Sequence, residues 1–221
     1  MGEINRRLFE KRTLSYLGDH KMEGALVLSD EIVSCLFELE QEAGFLAIFE
    51  KYAFDFDEAG SVHIGELDLT LPSKDLAVIL AGCDQVCVIA STLGVSYERY
   101  GKRVMSMNMT HGVVLDAAAS AYLECKTDDF TEELGLGIHT FRFAPGYGDL
   151  DLKYNIPLLT AMKADKRIGI THTGGGLFLP QKSMLGIVGI GMEQSSLKDR
   201  CEHCIRRENC DFRKAGTRCY G

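Results

Sequence analysis

The sequence predicts an α+β fold, in which a mixed or antiparallel sheet of hairpins packs with helices. Some segments carry apolar residues at helical spacing, others alternate apolar and polar residues, and the two kinds do not alternate regularly along the chain. The 221 residues are 46% apolar and 25% charged, as in an ordinary globular protein. This length allows one sizeable domain with a small appendage, which we expect over residues 1–195 and 196–221.

The first third of the chain predicts two helices and then strands. Apolar residues recur at helical spacing from Ile4 to Leu17, and Ser29 is a typical residue to open a second helix. These N-terminal helices are expected within residues 1–43. The aromatic-rich stretch 45–56 and the alternating stretch 62–69 are typical of strands.

The remainder predicts a set of helices around further strands. Ser73 is placed to cap a short helix that leads into a buried strand over residues 84–90. Two helices follow over residues 96–105 and 110–133, and another over 158–164. Apolar runs at 168–171 and 183–190 predict the last strands.

Charge and motifs exclude several classes of function. The net charge of −8 argues against a nucleic-acid partner, and no segment approaches the roughly 18 apolar residues of a membrane span, so we expect a cytoplasmic protein. No G-x-S-x-G or H-E-x-x-H motif occurs, and the scattered His63, His111, His139 and His172 are predicted to be structural. A reaction here would use little acid–base machinery, and no catalytic side chain is predicted.

The stretch RFAPGYGD, residues 142–149, combines an arginine with a turn sequence. Pro145 and Gly146 predict a tight turn, and Arg142 ends an alternating run that begins at Ile138. A guanidinium at the mouth of a strand can hold a carboxylate in a bidentate pair while glycine amides approach the same ligand. A simple hairpin with a solvated arginine is the alternative interpretation.

This loop resembles that of the activation domain of cobalamin-dependent methionine synthase, and above all the small free-standing members of that family. Arg142, Pro145, Gly146 and Tyr147 match the family's R-x-x-P-G-Y form. The family then shows a threonine-containing strand, a proline and a serine-led strand, matched here by residues 171–173, Pro180 and residues 182–183. The similarity extends over roughly residues 70–190.

The resemblance implies a function for residues 1–195 and roles for individual residues. The domain would bind S-adenosylmethionine (AdoMet) in a shallow groove and present its methyl group to cob(I)alamin. Arg142 would hold the methionyl carboxylate, Ala144, Pro145 and Gly146 would supply the turn and backbone contacts, and Tyr147 would cover the adenosine or the sulfonium. Thr173 is implied as a further cofactor-binding residue.

The resemblance also implies partners. Because the match covers the activation domain alone, the chain would reactivate, in trans, a cobalamin-dependent methionine synthase that lacks its own activation domain. The cobalamin would belong to that partner. Reactivation consumes an electron, so an electron-donor protein is also expected.

Three polar residues on the long predicted helix share one face. Asp116, Ser120 and Glu124 are spaced four residues apart among alanines. They would either line the groove beside the positive sulfonium or form a solvated stripe, and the sequence leaves both interpretations open.

The last part of the chain is basic and rich in cysteine. Residues 198–218 carry seven basic and four acidic side chains, a charge of +3, which leaves −11 for the rest of the chain. Four clustered thiols in a cytosolic chain favour a metal over disulfides, either structural zinc or an iron–sulfur cluster, with a tail of reducible thiols as the alternative. The candidate ligands are Cys201, Cys204, Cys210 and Cys219. The other four cysteines, Cys35, Cys83, Cys87 and Cys125, are predicted to be buried thiols.

Two alternative functions follow from the same features. One is a non-catalytic module that binds AdoMet or a corrinoid protein. The other is an iron–sulfur electron carrier that uses this fold as a scaffold.

Overall fold

A central antiparallel sheet organises the protein, whose computed structural model describes residues 4–19, 24–191, 208 and 211–214. The sheet has the strand order β1-β5-β8. Its strands are β1 (Leu46–Ala53), β5 (Gln85–Thr92) and β8 (Ser183–Ile190). Each is eight residues long, and β5 pairs along its whole length with both neighbours.

Two smaller antiparallel sheets flank this centre. The first contains β2 (Asp55–Phe56), β3 (Val62–Ile64) and β4 (Leu69–Leu71). A 3₁₀ turn, Gly65–Leu67, joins the last two of these strands. The second is the hairpin of β6 (Thr171–His172) and β7 (Phe178–Leu179).

The helices have caps that the sequence supplies. Asn5, Ser73 and Asn108 each accept a hydrogen bond from a backbone amide three residues later, which satisfies an otherwise unpaired first-turn donor. The helices are α1 (Arg6–Tyr16), α2 (Ala25–Glu42), α3 (Lys74–Leu80), α4 (Gly94–Met107), α5 (Met109–Glu133), α6 (Asn155–Met162), α7 (Ala164–Ile168) and α8 (Asp211–Lys214).

The two faces of the central sheet bury separate apolar clusters. Val86, Val88 and Ala90 of β5 face a cluster completed by α3, α6, α7 and the β2-β3-β4 sheet. The alternate residues Cys87 and Ile89 face Phe130 of α5 and the segment after it. This alternation is the period-two pattern of a strand buried on both sides.

A third cluster lies among the helices. It joins α1, α2, α4 and α5 through Phe9, Leu39, Tyr97 and Leu115, each at most 3% exposed. A buried hydrogen bond of 2.7 Å between Ser91 Oγ and Thr127 Oγ1 ties α5 to the sheet.

The predicted α+β class is confirmed, with every described sheet antiparallel, but three element predictions are wrong in detail. Helix α2 starts at Ala25, so Ser29 lies inside the helix instead of capping it. Helix α7 continues to Ile168, so the strand expected over 168–171 shrinks to the short β6. Residues 138–143 form isolated bridges to β8 instead of a regular strand.

Among the described residues, no helix has both the length and the apolar character needed to span a bilayer.

Candidate functional site

Arg142 lies over the outer edge of β8, because a glycine there leaves room for it. Phe143 exchanges backbone hydrogen bonds of 2.9 and 2.6 Å with Ile187, which fixes the segment against the strand. A Cβ atom on Gly186 would lie 2.4 Å from Cγ of Arg142. The aliphatic part of Arg142 therefore occupies the space that a side chain at position 186 would fill.

The guanidinium of Arg142 reaches helix α5. Its Nη2 atom donates to Oδ1 of Asp128 at 2.7 Å, and its Nη1 atom donates to Oγ1 of Thr131 at 3.4 Å. The other carboxylate oxygen of Asp128 accepts from Nη2 of Arg12 on helix α1 at 2.6 Å. Asp128 thus bridges two arginines whose side chains are only 10% and 15% exposed.

Helix α1 also meets Glu124, one turn earlier on α5. The hydroxyl of Tyr16 donates to Glu124 Oε1 at 2.6 Å, and Nε of Arg12 lies 3.5 Å from Glu124 Oε2. Arg12 and Tyr16 are four residues apart, so they lie on one face of α1. Two carboxylates of α5 therefore hold the N-terminal helix against the site.

The loop after Arg142 is a compact turn anchored to α3. Gly146, at φ +94°, donates its amide to Leu150 O at 2.7 Å, while the amide of Tyr147 donates to Ala144 O at 3.0 Å. Asp149 accepts hydrogen bonds from the Ser73 hydroxyl and the Lys74 amide at the start of α3. Burial alone would raise the pKa of Asp149, but these hydrogen bonds lower it below its usual range, so the anchor is charged.

Another part of the site is formed by the start of helix α6. Asn155 follows a 3₁₀ turn, Leu152–Tyr154, and its side-chain amide donates to Gly176 O at 3.0 Å. Gly176 approaches the backbone so closely that an added Cβ would lie 2.5 Å from the Leu152 carbonyl oxygen. The backbone is therefore tightly packed around Asn155, which is 3% exposed.

These elements line a groove of about 870 Å³ that is open to solvent. Its walls come from α1, α5, the 139–147 segment, the start of α6, β7 and β8. Charged side chains gather at one end, and they are Arg12, Arg142, Glu124, Asp128 and Glu132. Two cations and three carboxylates give this lining a slight negative charge.

The structure brings together most of the predicted cofactor-binding residues. Arg142, Ala144, Pro145, Gly146 and Tyr147 line the groove, and Glu124 joins them from α5. The Tyr147 ring is 53% exposed and stands edge-on to Phe143, with 6.4 Å between ring centres.

Three other predicted residues lie elsewhere. Asp116 and Ser120 bind Nζ of Lys182, at 2.9 and 2.8 Å, and are not among the residues that line the groove. Thr173 lies in the turn of the β6-β7 hairpin, where its hydroxyl accepts from the Leu177 amide at 3.3 Å. Their assignment to ligand binding stays a prediction.

The groove residues that sequence reasoning missed include the polar Arg12, Tyr16, Asp128 and Asn155. The first two carried a detectable signal, since they share a helix face. Asp128 continues the four-residue series of Asp116, Ser120 and Glu124. No sequence pattern marked Asn155.

The predicted metal ligands Cys201, Cys204, Cys210 and Cys219 lie outside the described residues. Within the described part of the chain, no group of three or more metal-ligating side chains is present. Cys35, Cys87 and Cys125 are buried free thiols, as predicted, while Cys83 is partly exposed. Burial raises the pKa of Cys87 and of Cys125 to about 11, so both stay protonated near neutrality.

The scattered histidines are hydrogen-bonded, as expected of structural residues. His63 pairs with Thr70, His139 with Gly137 O and His172 with Thr173 O. His111 is held between two glutamates of α2.

The fold and groove together define a class: an α+β domain whose antiparallel sheet carries helices on both faces and a ligand-sized groove beside its edge strand. A solved structure with a similar fold is the crystal structure of the MetH reactivation domain bound to AdoHcy. The two match with a TM-score of 0.57 and 14% sequence identity, over 86% of this chain and 74% of the other. No family model matches the sequence, and no curated protein matches it. The likeness shows a shared fold.

Proposed function

We propose that the chain binds AdoMet in this groove and reactivates a separate cobalamin-dependent methionine synthase that lacks its own activation domain. The observation that carries the proposal is the meeting of the Arg142–Tyr147 loop with the charged face of α5 in one groove. The ligand of the structural neighbour, AdoHcy, is S-adenosylhomocysteine, which is AdoMet without the transferred methyl group.

Charge supports the choice of ligand. AdoMet carries a carboxylate, an ammonium group and a sulfonium, so its net charge is positive. The groove offers Arg142 and Arg12 for the carboxylate, and Glu124 and Asp128 for the cationic groups. Charge-assisted hydrogen bonds of this kind orient a ligand as well as bind it.

The proposed chemistry asks the protein mainly to position the methyl group. The corrinoid, when its carrier docks, supplies the nucleophile. Arg142 fixes one end of the methionyl moiety, Tyr147 covers the adenosine or sulfonium, and the carboxylates of α5 stabilise the positive charge until transfer. Holding two reactants in a productive geometry supplies much of the rate of such a transfer.

The two segments of the chain would have separate roles. Residues 1–195 form the AdoMet-binding domain and residues 196–221 a separate cysteine-rich tail that holds zinc or an iron–sulfur cluster. The charge of −11 on the body and +3 on residues 198–218 would orient docking with the corrinoid protein, so reactivation should slow as salt increases. An electron-donor protein completes the system.

The binding test is titration calorimetry with AdoMet. Arg142→Ala removes a charge-assisted pair and should weaken binding by about 2–4 kcal/mol, roughly 30- to 1000-fold. The matched control is Arg167→Ala, which removes an arginine outside the groove, paired with Glu50 at 2.5 Å, and should leave affinity unchanged. Equal affinity in wild type and Arg142→Ala would refute the site.

The functional test mixes a cob(II)alamin-loaded methionine synthase lacking its activation domain, AdoMet and a low-potential reductant. Methylcobalamin, followed by absorbance, should form faster when the protein is present and no faster with Arg142→Ala. AdoMet binding without any acceleration would support the non-catalytic binding module instead.

A further inference from the structure

A groove residue carries a buried polar atom that has no hydrogen-bond partner. Among the described residues, three buried side-chain atoms lack a hydrogen-bond partner: Arg12 Nε, Asp129 Oδ2 and Asn155 Oδ1. Arg12 Nε still has the Glu124 carboxylate at 3.5 Å as an ion-pair partner, and Asp129 is not among the residues that line the groove, which leaves Asn155 Oδ1 as the unpaired atom of a groove residue. A buried polar atom without a partner is costly, so natural proteins rarely keep one without a use.

The unpaired Asn155 atom is an acceptor whose orientation is fixed. The amide nitrogen of the same side chain donates to Gly176 O, so a flip of the amide would place two carbonyl oxygens together. Oδ1 is therefore the atom that needs a donor. The close packing of Gly176 against the Leu152 carbonyl fixes the position of the carbonyl group that Asn155 binds.

Apolar side chains line the groove at positions next to Asn155 and its partner Gly176. Leu152 lies three residues before Asn155, and Phe178 lies two residues after Gly176. The charged Arg12, Glu124 and Asp128 instead come from α1 and α5. A flat, mostly apolar group with one hydrogen-bond donor on its rim suits this end. A purine with an exocyclic amine has that chemistry.

We propose that Asn155 accepts a hydrogen bond from the 6-amino group of the ligand's adenine, so that the groove selects adenosyl over 6-oxopurine ligands. This inference rests on the proposed function, which supplies the nucleoside. Oδ1 has almost no exposed surface, so the wall must yield slightly as the base enters. A 6-oxo group would instead place an acceptor against the Asn155 oxygen, and both would lose their hydrogen bonds.

The test compares two probes, S-adenosylhomocysteine and S-inosylhomocysteine, by titration calorimetry on the full chain. Wild type should bind the adenosyl probe roughly 10- to 100-fold more tightly, the range expected from one buried polar mismatch. Asn155→Leu removes the acceptor and should bring the two affinities close together. The ratio is measured within one variant, so a partly unfolded sample does not distort it.

A control substitution on α6 tests whether the affinity ratio depends on position 155. Thr160→Val removes an exposed hydroxyl of α6, bonded to Ile156 O and outside the groove, and should leave the ratio at its wild-type value.

The outcomes separate this inference from the function on which it rests. If wild type binds both probes equally well, or if Asn155→Leu keeps the full preference, the role of Asn155 is wrong and the AdoMet site stands. If wild type binds neither probe, the proposed function fails and the inference fails with it.

Discussion

The two faces of the central sheet are held together by different forces. On the face covered by α3, α6 and α7 the cluster is apolar and closely packed. On the helical side, apolar packing is supplemented by charged groups, with Asp128 between two arginines and His111 between two glutamates. The groove takes Leu185 from the first face and Val188 from the second. One face is therefore stabilised by apolar packing, and the other by apolar packing together with buried or partly buried ion pairs.

The largest effect is expected on the apolar face. Leu76 of α3 is fully buried, so Leu76→Ala should lower the free energy of unfolding by about 2–5 kcal/mol, because it leaves a cavity. Leu177, 61% exposed, is the control, and Leu177→Ala should change stability by less than about 0.5 kcal/mol. Urea unfolding measures both, and equal losses would contradict the division between the faces.

An intermediate effect is expected where charges hold the helical side. Asp128→Ala leaves the mostly buried Arg12 and Arg142 without their shared acceptor and should cost about 1–3 kcal/mol of stability. Glu50, which pairs with Arg167 at 2.5 Å where both side chains are about 40% exposed, is the matched control, and Glu50→Ala should cost at most about 1 kcal/mol. Thermal unfolding of both variants provides the measurement, and an Asp128→Ala variant as mild as the control would show that these charges do not stabilise the helical side.

The smallest effect is a pH dependence at His111. Hydrogen bonds to Glu31 and Glu38 of α2 raise the pKa of His111, and Tyr100 of α4 donates to the same Glu38 at 2.6 Å. A raised pKa means that folding favours the protonated ring. The stabilisation is therefore complete below the unfolded pKa of about 6.5 and is lost as the pH rises through the higher folded pKa.

Wild type should accordingly exceed His111→Gln in stability by up to about 1 kcal/mol at pH 6, and the difference should shrink towards alkaline pH. Urea unfolding at several pH values provides the measurement. A difference that stayed constant or grew with pH would show that the cluster does not depend on a charged histidine.

The elements that were predicted well are those in which the local side chains specify the structure by their polarity or by capping a helix. The apolar residues of β5 and the Ser73 cap of α3 identify their elements locally. The start of α2 was missed because its N-cap is Gly24, which makes no side-chain hydrogen bond to the helix. The run over 138–143 looked like a strand because it alternates, yet it pairs with β8 only at isolated bridges.

The residues of the site also differ in whether the sequence identifies them locally. The loop from Arg142 to Tyr147 was identified from its resemblance to a family motif, and the structure places it in the groove. Asn155 has no local pattern, and the helix-face spacing of Arg12 does not specify which element it contacts, since tertiary packing brings both residues to the groove. The Arg12–Asp128 contact joins residues 116 positions apart, and no periodicity within a helix specifies such a pairing.

That long separation has a consequence for the order of folding. Closing a segment of more than a hundred residues costs chain entropy that shorter contacts avoid, so the β5–α4–α5 region can form before α1 docks. The groove lacks this wall until α1 docks, and its β8 wall depends on a pairing with β5 that is almost as distant in the sequence. During refolding, the helical signal should therefore recover before affinity for the ligand does, and a ligand that binds only the completed groove would draw the N-terminal helix into place.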